Sequence, residues 1–423
     1  MRKYLKIFLV FVLLSASSYA LWAEEVLTWQ ECIKEAAKNH PDLIAAGEDI
    51  KQSEAGRKIT ASGLLPQVDS SLSGSTARSD TGKTNSTADS YSYGVTGTQL
   101  LFDGNKTVND LHADSEKITA AKQGFKFTSA TVRFRLRTAF IDLLKAQEML
   151  RISEEIYNIR RSNLELITLR YESGLEHKGA LLTAEANLAE AKYEISRTQR
   201  DAAVAQRELG KELGRAQSVP IHVQGDFAVR DAARDKPDFE SIAKGNASLQ
   251  QLIAQKKAAE FSLKSTYANF SPVLSGQAGA KKSSSYWPPR NDQWNLGISL
   301  SMPVFEGGLR FAQVSQAKAL LNQLRANERS SKDGVILALE QSWAALQDAI
   351  DNLEVQNKSL LAGEERSKIA GAQYSTGFTS FDNWTIIEDN FVRLKKAFLD
   401  AQANALFVEA DWIHAKGETL EYE

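Results

Sequence analysis

The stretch Gln99-Leu100-Leu101-Phe102-Asp103-Gly104-Asn105 is met again as Met302-Pro303-Val304-Phe305-Glu306-Gly307-Gly308. Phe102 and Phe305 lie 203 positions apart (305 − 102). The same step carries Tyr171-Glu172-Ser173-Gly174 onto Tyr374-Ser375-Thr376-Gly377, and Glu185 onto Glu388. It also carries Leu136, Leu143, Leu150 and Tyr157 onto Leu339, Leu346, Leu353 and Leu360. Separate landmarks in one register make the second half a structural copy of the first. Two copies this long are too few for a solenoid. They predict one large supersecondary unit, duplicated and packed about a pseudo-symmetry axis.

Each copy reads as helix, strand pair, very long helix and shorter helix. The first copy, residues 24–214, places the strand pair at 65–102, the long helix at 105–172 and the shorter helix at 180–213. The second, residues 238–417, places them at 272–304, 307–376 and 380–416. Leu65-Pro66 and Ser271-Pro272 end the opening helices, because proline restricts both itself and its predecessor. Between the copies, residues 215–237 contain Val219-Pro220 and Gly225 and read as a connector with room for a short strand; residues 418–423 form a tail. Neither long segment holds a proline, and a helix of that length reaches on the order of 100 Å. Leu136, Phe140, Leu143, Leu150 and Tyr157, matched by Leu339, Trp343, Leu346, Leu353 and Leu360, recur in heptads and predict lateral packing in coiled-coil fashion.

The strands carry the decisive chemistry. Tyr91, Tyr93 and Val95 alternate with Ser92, Gly94 and Thr96, and Trp294, Leu296, Ile298 and Leu300 alternate with Asn295, Gly297, Ser299 and Ser301. In a soluble protein such alternation faces a core. Here the opposite face is small and polar throughout, as in a membrane barrel wall with lipid outside and water inside. Four strands cannot close a barrel, and an open edge in lipid leaves backbone groups unpaired at several kcal/mol each. The sequence therefore predicts an obligate oligomer whose chains share one wall.

The N-terminus, residues 1–23, reads as a secretory signal. Arg2, Lys3 and Lys6 precede the apolar run Ile7 to Leu14, and cleavage after Ala20 or Ala23 fits the small residues there. The run is shorter than the ~20 residues of a spanning helix. Losing those three cations moves the formal charge from −2 to −5, and no basic aromatic patch suggests nucleic acid. Cys32, the sole cysteine, excludes an internal disulfide and reads as a small buried apolar side chain. His40, His112, His177, His222 and His414 share no metal-ligand spacing. Gly82-Lys83-Thr84 lacks the glycine of a phosphate loop, since Ala77 stands there, and reads as a strand-to-strand tip. No catalysis, metal or cofactor is expected.

These landmarks resemble the TolC family of trimeric outer-membrane efflux proteins, over roughly Leu27 to Gly417. The most specific element is Leu300-Ser301-Met302-Pro303-Val304-Phe305-Glu306-Gly307-Gly308, which is similar to that family's strand-to-helix junction. The second is Tyr171-x-x-Gly174 followed by Ala184-Glu185-Ala186-Asn187-Leu188-Ala189-Glu190-Ala191-Lys192. The resemblance implies a mainly α fold: duplicated long-helix hairpins in a trimeric α-helical barrel, with four strands per protomer in a twelve-stranded outer-membrane β-barrel. It implies an equatorial belt built from the connector and the C-terminal segment. It also implies passive export of drugs, other small molecules or secreted proteins. The homotrimer would sit in outer-membrane lipid and work with a periplasmic adaptor (a membrane fusion protein) and an inner-membrane transporter. Lipid-facing candidates are Tyr91, Tyr93, Val95, Trp294, Leu296, Ile298 and Leu300. Strand-to-helix junctions are Phe102, Asp103, Gly104, Pro303, Phe305, Glu306, Gly307 and Gly308. Periplasmic tip turns are Tyr171, Gly174, Tyr374 and Gly377. Some members narrow the tunnel with an aspartate ring after the second turn, but the corresponding positions are Asn383 and Ile386. Asp382, Glu388 and Asp389 lie close by as a substitute constriction; the competing reading is solvated tip charges or charges suited to a helix N-terminus. Against the channel stands a second reading, a periplasmic coiled-coil adaptor or scaffold, and a weaker third, a surface enzyme or adhesin.

Overall fold

A computed structural model describes residues 25–80, 85–216, 220–230 and 235–420. The signal segment 1–23 and Gly82-Lys83-Thr84 lie outside the described residues. In chain order the elements are β1 (Glu25–Thr28), α1 (Trp29–Asn39), α2 (Pro41–Ser62), β2 (Gln67–Asp80), β3 (Asn85–Phe102), α3 (Lys106–Glu172) and α4 (Lys178–Glu212). The second copy follows as β4 (Ile221–Gln224), α5 (Phe239–Gly245), α6 (Ala247–Ala268), β5 (Val273–Ser284), β6 (Asn291–Ser301), α7 (Leu309–Ser375) and α8 (Phe381–Lys416).

The long helices α3 and α7 are each 67 residues and stand 203 positions apart (309 − 106). Left-handed backbone marks the same places in both copies: Gly104 with Asn105 against Gly307 with Gly308, Gly174 against Gly377, and Gly214 against Gly417. Upstream of the strands the step differs. The helix α6 stands 206 positions after α2 (247 − 41), so the second hairpin is three residues shorter than the first. The second strand pair also ends sooner than expected, at Ser301 rather than residue 304. Pro303 occupies the place of Leu100, where β3 carries a bulge, and a proline cannot donate to the ladder.

The chain divides into two compact units. One comprises residues 44–128 and 238–338 and holds the large sheet, in the order β2-β3-β5-β6 with every pair antiparallel. Its helices follow the same order. Arg57 Nε donates to Ser115 Oγ at 3.0 Å between α2 and α3, His112 stacks on Phe261 at 5.1 Å between α3 and α6, and Lys256 pairs with Glu328 at 2.7 Å between α6 and α7.

The other unit comprises residues up to 43, 129–237 and 339 onward. Its core runs along the helices as Ile141, Leu406 and Ala410, then Ile152, Ile156, Ala191 and Leu399, then Ile167, Ala184, Tyr374 and Trp384. Along α4, Ala184, Ala191, Thr198, Ala205 and Glu212 are buried at seven-residue spacing, so small side chains let neighbouring helices approach. On α7, none of Val314, Leu321, Glu328, Val335, Ser342, Ala349, Gln356, Gly363 and Ala370 is exposed, one unbroken heptad line. The expected line on α3 drifts: Leu136, Phe140 and Leu143 are buried, but Ile152 and Ile156 then replace Leu150 and Tyr157 as its buried positions. The connector does form a strand, β4, which pairs in parallel with β1, a short strand for which the sequence reading made no provision. Gln147 closes its free edge: Nε2 donates to Val223 O at 3.1 Å and Oε1 accepts from Val223 N at 3.0 Å. Cys32 is fully buried, and burial pushes its thiol up to about 12.

Candidate channel surfaces

The sheet has one apolar and one polar face. Its register sets Val68, Gly97, Ala278 and Leu296 in one cross-strand row, and Ser70, Val95, Ala280 and Trp294 in the next. Leu72, Tyr93, Ile298, Leu274 and Leu300 fall on that same face, because opposed residues share a face and next neighbours alternate. Among the described residues no helix or second sheet covers its middle: Trp294 is 82% and Ile298 73% exposed. Withdrawing side chains of that size from water is worth roughly 1.5–3 kcal/mol each. Tyr91 is half-buried rather than open, because its ring and that of Tyr93 meet Trp287 edge-on at 6.3 and 6.5 Å. Lys282 and Asp292, paired at 3.2 Å, continue the apolar face beyond these aromatics.

The polar face is mostly Ser, Thr, Asn, Gln and Gly with Asp69 and Lys281 as its charges, and its apolar exceptions are Leu100 and Val273 near the helix junctions and Ala77 with Ala88 toward the hairpin tip. Ser73 meets Ser92, and Ser275 meets Ser299, each at 2.8 Å between hydroxyls. Gly94 lies beside Lys281, whose Cβ would stand 2.5 Å from any Cβ placed there.

At the junctions the two copies solve one problem differently. Both turn through two consecutive left-handed residues, which glycine and asparagine tolerate. Asp103 caps α3, its carboxylate accepting from Thr107 N at 2.8 Å and from Thr107 Oγ1 at 2.5 Å. Glu306, one methylene longer, reaches Arg310 Nε at 2.5 Å instead. A Cβ on Gly104 would lie 2.3 Å from Ser271 Cβ, whereas Gly307 faces open space. Phe102 is 46% exposed and Phe305 88%.

At the far end of the long helices, Tyr374 is buried while Tyr171 is 38% exposed. The Tyr374 ring stacks on Trp384 at 4.3 Å and carries the Arg170 guanidinium at 4.8 Å, and its hydroxyl donates to Glu176 Oε2 at 2.8 Å. Burial first, then the neighbouring Glu176 carboxylate, hold this phenol well above its ordinary pKa. Arg170 Nη1 also donates to the Tyr374 carbonyl at 3.4 Å. The turn after Gly174 is thus fastened to the turn before Gly377. Sequence reasoning singled out Tyr374 but missed Arg170, Glu176 and Trp384; an arginine one turn before a tyrosine-glycine turn is too common a pattern to signal it.

The acidic candidates separate. Glu388 is 6% exposed and accepts from Ser367 Oγ, so it belongs to the helix interior rather than to an open ring. Burial raises its pKa, with the Ser367 hydroxyl and Arg160 opposing. Its repeat partner Glu185 is exposed, so the two glutamates do not share a role. Asp389 is open but paired with Arg160 at 2.5 Å, and Asp382 is exposed in the first turn of α8. Asp382, Ile386 and Asp389 share one exposed helical face.

The histidines have separate structural partners. His40 Nε2 lies 3.3 Å from Glu212, with Nδ1 accepting from Asp42 N at 3.1 Å, and His177 Nδ1 accepts from Ala180 N at 3.1 Å. His222 lies 3.0 Å from Gln147, and His414 stacks on Phe134. Among the described residues no group of three or more His, Cys, Asp or Glu is placed to hold a metal, and no helix is long and apolar enough to cross a membrane.

A sheet with an uncovered apolar face, feeding helices of this length in duplicate, matches one family model, described as outer membrane efflux protein, over residues 32–215 and 240–412. The chain belongs to that family. The outer membrane efflux protein BepC of Brucella suis biovar 1 (strain 1330) is 22% identical over 361 residues, 80% of this chain and 76% of that one. The outer membrane protein TolC of Escherichia coli (strain K12) is 21% identical over 453 aligned positions, 100% of this chain and 88% of its own. A solved structure of CusC superposes with a TM-score of 0.83 at 19% identity, covering 92% of this chain and 91% of that one, which shows the fold. Membership places the chain in the outer membrane, reaching into the periplasm, and decides for the channel reading over the adaptor. The family is one of channel proteins, not enzymes.

Proposed function

We propose that the chain is one protomer of a homotrimeric export duct, the passive outer-membrane exit of a tripartite pump. Three copies supply twelve strands, enough for a closed wall with its polar face around water and its apolar face in lipid. Energy comes from an inner-membrane transporter, and a periplasmic adaptor joins the two. The observation that carries this reading is the sheet itself, four strands whose outer two have no further strand partner among the described residues and whose apolar face stands open from Trp294 to Leu300. The tip formed around Tyr374 is the end that must open for passage. Asp382 and Asp389, threefold repeated, would line its approach with carboxylates and favour cations there.

The test is purification in detergent followed by planar-bilayer recording. A trimer that conducts supports the reading; a monomer stable without detergent, or a silent bilayer, overturns it. Ile298→Arg, on the lipid face, should abolish membrane assembly at a cost of about 2–4 kcal/mol, while Ser299→Arg, its neighbour on the water face, should assemble and alter conductance.

A further inference from the structure

The internal repeat supplies its own template for how one copy meets the next. Within the chain Val68 pairs with Gly97, and Leu274 with Leu300. The second pair is the first moved by 206 on one strand (274 − 68) and by 203 on the other (300 − 97). Those two steps therefore describe how the first hairpin maps onto the second.

The remaining pairing, β3 with β5, joins the last strand of one copy to the first strand of the other. There Gly97 opposes Ala278, Tyr93 opposes Lys282 and Tyr91 opposes Ser284. Carrying β3 forward by 203 onto β6, and β5 back by 206 onto β2, turns this into a pairing between the two free edges. These edges run antiparallel, as every other neighbour in the sheet does.

Burial in the helices shows that a neighbour of this kind is missing. Ser265 and Ala268 on α6 are buried, but their counterparts 206 positions earlier, Ile59 and Ser62 on α2, are exposed, Ile59 at 74%. Ala113 and Ala120 on α3 are buried, but their counterparts 203 positions later, Gln316 and Gln323 on α7, are exposed. Each edge lacks what the centre of the sheet possesses.

We infer that β6 of one protomer pairs antiparallel with β2 of a second copy in the register Leu300 to Leu72, Leu296 to Thr76 and Trp294 to Arg78. In that register every pair shares a face, with Leu300 on Leu72 in the apolar band and Ser299 opposite Ser73 on the water side. Trp294 and Arg78 meet at the outer rim, where an indole and a guanidinium stack favourably. A shift by one residue would set apolar side chains against the water face. A shift by two keeps the faces but displaces the pairs, so only the repeat selects among the even registers. This inference rests on the trimeric reading and adds its register.

The test is disulfide trapping of the full chain in native outer membranes, in a Cys32→Ala background. Leu300→Cys with Leu72→Cys should cross-link between chains on mild oxidation, giving dimer and trimer bands that collapse on reduction. Leu296→Cys with Thr76→Cys should do the same. The slipped combinations, Leu300→Cys with Ser70→Cys or with Gly74→Cys, should not, since diagonal neighbours stand some 7–8 Å apart and a disulfide needs Cβ atoms about 3.5–4.5 Å apart. Val95→Cys with Ala280→Cys serves as the intramolecular control for that oxidation. Efficient trapping of a slipped pair overturns the register. No intermolecular trapping in any combination, with the control pair oxidised, overturns the edge pairing. Light scattering in detergent separates these failures from failure of the trimer: a trimer with the wrong cross-link sinks only the register, whereas a monomer sinks both.

Discussion

The two tip turns share a backbone and differ in everything around it. Gly174 and Gly377 adopt the same left-handed conformation, each three residues after a tyrosine. Yet Tyr171 points outward at 38% exposure, and Tyr374 sits at 1% between an indole and a guanidinium. Duplication fixed the turn; packing then assigned one copy to fastening and left the other open. The same divergence recurs between Glu388 and Glu185, and between Gly104 and Gly307.

The largest effect should come from removing the fastening. Tyr374→Ala empties a buried aromatic site and should cost about 3–5 kcal/mol locally, read as lost hydrogen-exchange protection in the turns at 172–180 and 375–381. Tyr171→Ala should change protection there by about 0.5 kcal/mol or less. Tyr374→Phe keeps the stack and loses the bond to Glu176, costing about 1 kcal/mol. Equal effects at the two tyrosines would erase the contrast.

Next come the junction glycines. Gly104→Ala meets both an unfavourable φ of 70° and Ser271 at 2.3 Å, so it should exceed the about 1–2 kcal/mol of the backbone term alone. Gly307→Ala, at φ 60° with open space, should show only that term. Thermal melts of the two variants, compared side by side, decide this.

The smallest effect is electrostatic. Burial raises the Glu388 pKa, so the folded state holds this proton more tightly than the unfolded chain does. Its contribution is fully present below the ordinary glutamate range and is lost as pH rises through the raised value. Glu388→Gln should therefore flatten the decline of stability just above the ordinary glutamate range. Denaturation series between pH 4 and pH 7 read the difference.

Much of this architecture was legible in the residues because duplication writes every signal twice. The 203 step placed both long helices and both strand-to-helix turns, and the strict alternation at Trp294 to Leu300 gave the sheet its two faces. Three features were not legible. The step of 206 before the strands already stands between Pro66 and Pro272 (272 − 66), but the serine-rich hairpin that follows hides where the three residues are lost. The pairing of β1 with β4 joins segments almost 200 residues apart, each only four residues long. The burial of Tyr374 and Glu388 depends on Arg170, Trp384 and Ser367, partners that arrive from other helices. Local pattern fixes an element and its faces; which copy ends up inside is settled by tertiary neighbours.

Two hairpins of unequal span stand on strands whose registers at the foot are equivalent, so the length of the ladder at that end is decoupled from the wall below it. The longer first hairpin is thus a natural graft point. In the trimeric duct proposed above, an epitope spliced beyond the Asp80–Asn85 pair would be carried once by every protomer, giving a handle for counting assembled ducts on living cells.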